Sequence, residues 1–150
     1  MRVIPSISEL LFGLLVLLPL TVCSQNWEPD FDEALVKAAE QDKHMLLVFS
    51  GSDWCAPCIK LNRTIWQSEE FKRYATQKFV LYKADFPRKK KNKLPLSVSG
   101  KNKELAAKYN SKGFFPLVLV LDKDSKILGT TGYQKVSPTK YIQLLDGFLK

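Results

Sequence analysis

The chain has 150 residues, 45% of them hydrophobic, 11% aromatic and 25% charged, with 23 Lys+Arg against 15 Asp+Glu for a formal net charge of +8. That is the balance of an ordinary folded domain, and it excludes a disordered, collagen-like or multi-span chain. The length allows one domain with a real hydrophobic core, while three cysteines are too few for a disulfide-stapled miniprotein or a four-thiolate metal site.

Residues 1–24 read as a secretory signal. Arg2 supplies a minimal positive start, and the apolar run from Leu10 to Leu20 follows it. The run is shorter than the roughly 20 apolar residues a spanning helix needs, and Pro19 interrupts it. Val22-Cys23-Ser24 offers a signal-peptidase site that would leave Gln25 as the new N-terminus. Two other readings stay open: Leu20-Thr21-Val22-Cys23 as a bacterial lipobox with Cys23 acylated, and an uncleaved apolar helix. Either form of processing takes Cys23 out of thiol chemistry and leaves a domain at 25–150 that holds Cys55 and Cys58. Removing 1–24 takes away Arg2 and Glu9, so the net charge stays at +8. The expected location is periplasmic or extracellular, with a membrane-anchored lipoprotein as the alternative.

Phe31, Ala34, Leu35 and Ala38 have helical spacing within 30–43, and Asp30, Asp32 and Glu33 suit the start of that helix. Met45 to Phe49 is a short continuous apolar run, as expected of a strand buried on both faces. Gly51 and Ser52 break it, and Pro57 opens a helix carrying Ile59, Leu61, Ile65 and Trp66. Ser68, Glu69 and Glu70 restart a helix through Phe71 and Tyr74. Residues 79–84 form a second strand ending at Asp85. A polar connection over 86–103 precedes a short helix from Lys103 to Asn110, stopped by Gly113. Residues 115–121 and 126–131 form a strand hairpin around Asp122-Lys123-Asp124-Ser125. Ser137-Pro138 caps a last helix presenting Tyr141, Leu144, Leu145 and Phe148. Strands separated by helices run parallel and are covered on both faces, and the hairpin adds antiparallel strands.

The chemistry sits in Trp54-Cys55-Ala56-Pro57-Cys58, where a buried strand turns into a helix. A thiol at a helix N-terminus faces unpaired N–H groups and the positive end of the dipole, and both stabilise a thiolate. A second thiol three residues on can close a small ring with the first. Cys55, the more exposed, would attack a substrate disulfide, and Cys58 would resolve the mixed disulfide. Two blander readings stand beside this one. A static structural disulfide would gain little from so small a ring. A zinc or copper site would have only His44 to join the thiols, across the strand from them.

With these residues in place, the chain resembles the thioredoxin superfamily. Trp54-Cys55-Ala56-Pro57-Cys58 differs at one position from that family's Trp-Cys-Gly-Pro-Cys. Trp27, the helix, Asp42-Lys43, the strand and Gly51-Ser52-Asp53-Trp54-Cys55 are similar to exported bacterial members. The resemblance covers 27–150. It implies a thioredoxin-like α/β fold: a central mixed four-stranded sheet flanked by helices on both faces, with an extra N-terminal helix. It also implies a Cys55–Cys58 disulfide and an active-site surface of Trp54, Ala56, Pro57, Phe115, Pro116 and Gly132, with Phe115-Pro116 in the cis form. No cofactor or metal is implied. Two departures stand out: Phe49 replaces a buried acid that helps deprotonate the second cysteine, and Leu117 replaces the threonine after the proline. Asp53 reads as a solvated loop acid or helix cap unless it points inward.

The expected activity is thiol–disulfide exchange by an envelope oxidoreductase, in the reducing direction because Ala56-Pro57 adds neither a donor nor a histidine. Its partners would be protein disulfides and a membrane electron donor, with a monomer as the default. The alternative is a binding or redox-sensing module. Arg88, Lys89, Lys90, Lys91, Lys93, Lys101 and Lys103 run without an acid between them. They read either as a solvated, mobile loop or as a docking site for an anionic lipid surface or an acidic partner, and not for nucleic acid, since no aromatic interleaves them beyond Phe86. Trp27 and Trp66 read as packing residues, and His44 as a structural helix-to-strand residue.

Overall fold

Two apolar runs, 45–49 and 117–121, set the centre of the molecule, because each must be covered on both faces. The computed structural model describes residues 26–150; the expected signal over 1–24, Cys23 and Gln25 lie outside the described residues. The first run becomes β2 (His44–Ser50). It pairs in parallel with β3 (Phe79–Asp85) on one side and antiparallel with β4 (Leu117–Leu121) on the other. β5 (Ile127–Thr131) adds an antiparallel edge, and β1 (Trp27–Glu28) pairs in parallel with the far side of β3. The strand order is β1-β3-β2-β4-β5.

Strand parity sorts the core into two layers. Leu46, Val48, Leu81, Val118 and Val120 face α2 (Ala56–Leu61), α3 (Glu69–Lys78) and α5 (Pro138–Phe148), with Trp66 and Tyr141 buried among them. Met45, Leu47, Phe49, Tyr82 and Leu119 face α1 (Phe31–Glu40) and α4 (Leu96–Tyr109). The expected caps form. The Asp30 carboxylate accepts from the N–H groups of Asp32 and Glu33 at 2.8 and 2.9 Å, and Ser68 and Ser137 cap α3 and α5. Trp66 is in the core as expected, with Trp27 edge-on against it at 6.1 Å.

The structure corrects three expectations. The sheet has five strands rather than four, because β1 is two residues long, too short to show any period. The helix that opens at Pro57 carries Ile65 and Trp66 and stops before Ser68 as expected, but its last part, Asn62–Trp66, is π-helical rather than α-helical. The connection expected over 86–103 is helical from Leu96 onward, after a 3₁₀ turn at Lys90–Asn92. The first turns of α4 contain Ser97, Ser99 and Gly100, all weak helix formers. Tertiary bonds hold that end instead. Fully buried Asn102 accepts from the Tyr82 hydroxyl at 2.7 Å and donates to the Asp85 carbonyl at 3.0 Å.

Replacing Asn102 with Ala orphans the buried Tyr82 hydroxyl and frees the end of β3. The expected loss is about 2 kcal/mol, read as a lower urea midpoint at unchanged m-value.

Candidate active site

The turn from β2 into α2 is built around one close approach. A Cβ on Gly51 would stand 2.3 Å from the Trp54 indole, so only glycine lets Trp54 lie back over the turn. The Trp54 Nε1–H donates to the Phe86 carbonyl at 2.8 Å, and the Phe86 N–H donates to the Ser50 carbonyl at 2.8 Å. The Ser52 N–H donates to the Asp85 carboxylate at 2.9 Å. The ends of β2 and β3 are thus tied together at the point where the motif begins.

Cys55 is the N-cap of α2, in extended backbone, with Ala56 and Pro57 opening the helix. Pro57 lacks an N–H at a position where none is needed. Cys55 and Cys58 form a disulfide with their Cα atoms 5.2 Å apart, and Cys55 Sγ accepts from the Cys58 N–H at 3.3 Å. Contrary to expectation, Cys55 is not the more exposed of the two: both residues are 4% exposed. In the disulfide form Cys55 Sγ lies against the first helical turn. What distinguishes Cys55 is its position at the helix N-terminus, where the Cys58 N–H points at its sulfur.

The Phe115–Pro116 bond is cis. Phe115 meets Trp54 edge-on at 5.5 Å and Phe86 at the same distance. Gly132 abuts this loop, since a Cβ there would lie 3.0 Å from the Pro116 carbonyl oxygen. Trp54, Phe115, Pro116 and Gly132 therefore form a connected chain of contacts from three different loops. His44 starts β2 at the opposite end of the strand from the dithiol. Leu117 opens β4 and packs with the α1/α4 core.

The buried face of the dithiol is not what the motif alone implied. Phe49, in the place of the expected acid, is fully buried in the α1/α4 layer. Cys58 instead borders a cavity of about 120 Å³ lined by Ser50, Ser52, Ile59, Asn62, Trp66 and Lys83. Lys83 is the charged residue of that lining. Its ammonium lies 4.5 Å from the centroid of the Trp27 ring. Burial pushes its pKa below the usual lysine range, and Asp85 offsets this in part. Nothing in the motif pointed to Lys83. The available signal was a charge inside an otherwise apolar stretch of β3, at the same parity as Phe79 and Leu81.

Asp53 does not replace the missing acid. Its carboxylate accepts from the N–H groups of Arg88 and Lys89 at 2.9 and 3.0 Å and from Asn92 Nδ2 at 2.9 Å. These bonds, led by that of Arg88, hold its pKa below the usual aspartate range. The Arg88 guanidinium stacks 3.8 Å from the Trp54 ring centroid. The first part of the lysine-rich stretch is therefore clamped to the motif turn rather than forming a loose connection. Lys101 lies apart on α4 in an ion pair with Asp32 at 2.7 Å.

Comparison with known proteins fits this geometry. Residues 26–123 match the family model described as thioredoxin-like. The chain is 35% identical over 132 residues to the disulfide bond reductase DsbH of Chlamydia pneumoniae, covering 88% of this chain and 77% of that protein. A solved DsbH oxidoreductase superposes with a TM-score of 0.79 at 33% identity, covering 91% of this chain and 92% of the other. A thioredoxin from Thermus thermophilus shares the fold, with a TM-score of 0.63 at 18% identity over 84% and 88% of the two chains.

A lysine with a depressed pKa costs the folded state stability as long as it is charged there. That cost is fully present below its folded pKa and is relieved as the pH rises from there to the ordinary lysine value. Lys83→Met should therefore gain stability relative to the parent near pH 7, and the gain should shrink as the pH approaches 10.5. Urea unfolding of both proteins across that range checks it; a difference that does not change with pH would show that the ammonium is solvated.

Proposed function

The chain belongs to the thioredoxin-like family, and on that footing we propose that it is a thiol–disulfide reductase of the cell envelope, acting through Cys55 as nucleophile and Cys58 as resolving thiol. The observation that carries this reading is the Cys55 sulfur at the N-cap of α2, ring-closed to Cys58 and receiving the Cys58 N–H. Once the ring is reduced, that N–H and the helix dipole favour negative charge on Cys55.

The Cys55 thiolate attacks one sulfur of a substrate disulfide. The substrate S–S bond breaks, a mixed disulfide forms, and the departing substrate thiolate takes up a proton. Cys58 then gives up its proton and attacks Cys55 Sγ, which closes the ring and releases the second substrate thiol. Two electrons pass to the substrate, so a separate donor must reduce the ring before the next turn. In an oxidising compartment that donor is a membrane partner. Lys83, in the cavity beside Cys58, favours the Cys58 thiolate in the resolving step where Phe49 supplies no base.

Three features favour the reducing direction and the envelope. Ala56-Pro57 adds no donor or histidine that would stabilise the Cys55 thiolate further. The relative with which the chain shares 35% identity is itself a disulfide bond reductase. Residues 1–24 carry the pattern of a secretory signal. A docking module that merely retains the dithiol is the weaker reading, because the basic segment is bonded to the motif turn itself.

Equilibration of the purified protein against dithiothreitol should give a potential of about −270 mV. A value above about −180 mV would recast it as an oxidant or isomerase. Cys55→Ser should abolish reduction of protein disulfides, and Cys58→Ser should accumulate a mixed disulfide visible on a non-reducing gel.

A further inference from the structure

Arg88, Lys89, Lys90, Lys91 and Lys93 are all exposed. None of them is in an ion pair among the described residues, whereas Lys101 is held by Asp32. Their place is fixed by bonds already described: the Asp53 carboxylate on the Arg88 and Lys89 N–H groups, and the Arg88 guanidinium on the Trp54 ring. Trp54 is the residue before Cys55, so this strip of positive charge flanks the dithiol directly. Apolar surface lies next to the dithiol itself: Ile59, one residue after Cys58, is 44% exposed.

We propose that segment 88–93 is a substrate-selecting surface, fitted to an extended acidic stretch of polypeptide whose disulfide reaches Cys55. The proposal rests on the reductase reading above and adds the substrate class. Unpaired cations at the rim of a site raise the local concentration of anionic partners and the encounter rate, with a strong dependence on salt. A protein substrate is favoured over a membrane surface by the placement itself. A bilayer seated on Arg88 and its neighbours would cover Trp54 and close the dithiol off from protein disulfides. An acidic chain lying along the same strip would carry its disulfide to the ring.

The test compares two disulfide peptides of equal length, one flanked by Asp and Glu and the other by Lys, as substrates of the purified protein at low and high salt. The parent should reduce the acidic peptide about tenfold faster at low salt, and the preference should vanish at high salt. It should also vanish in a variant carrying Lys89→Gln, Lys90→Gln, Lys91→Gln and Lys93→Gln, which leaves Arg88 on Trp54. Equal parent rates on the two peptides, with ready reduction of a neutral small disulfide, would overturn the proposal and leave the reductase reading intact. No reduction of any of the three substrates would overturn the reductase reading itself. An acidic preference that survives in the variant would place the selectivity elsewhere. Binding of the parent to phosphatidylglycerol vesicles with loss of peptide reduction would assign the strip to membranes and equally overturn the proposal.

Discussion

The seat of Trp54 on Gly51 is the contact on which the working end of the molecule depends. β2 and β3 run parallel and finish at one edge of the sheet, and antiparallel β4 begins there. Three connections must therefore meet at this edge with their backbone polar groups satisfied. The indole ties them together: its N–H bonds the segment after β3, its face carries Arg88, and its edge meets Phe115 of the loop before β4. A side chain at position 51 would occupy the space that the ring needs. The cis-proline loop and the basic strip meet at one flat side chain, that of the residue just before Cys55.

Charge around the dithiol is divided between two environments. Lys83 lines a small cavity that Cys58 also borders, and burial lowers its pKa. The cations of 88–93 are exposed, where water and salt screen their reach. The lining of the cavity includes no carboxylate. Phe49, where the resemblance implies an acid, is buried in the α1/α4 layer, and the charged residue of the cavity lining is Lys83.

Much of this was legible along the chain because the signals were local. Uninterrupted apolar runs marked β2 and β4, Asp30, Ser68 and Ser137 marked helix starts, and the cysteine spacing fell at a strand-to-helix junction. What escaped was fixed by distant partners. β1 exists because Trp27 packs on Trp66 and pairs with Leu81. The first turns of α4 are held by the bonds of Asn102 to Tyr82 and Asp85, against the preference of their own residues. Lys83 gains meaning only once strand parity is combined with the knowledge of which helix covers that face. The equal burial of the two cysteines depends on what packs around them, which their spacing does not reveal.

Asp53 also sets how the protein meets an acidic medium. An exposed carboxylate that receives two backbone N–H groups and an amide stays ionised below the ordinary aspartate range. Its contribution is fully present above the unfolded-state value and is lost only as the pH falls through the depressed one. Acidification of the surroundings would therefore neutralise ordinary surface carboxylates, those of an approaching partner among them, before it loosened the clamp on 88–93. In mild acid the strip keeps its place and its charge while an anionic partner loses its own, so recognition would fade from the partner's side first.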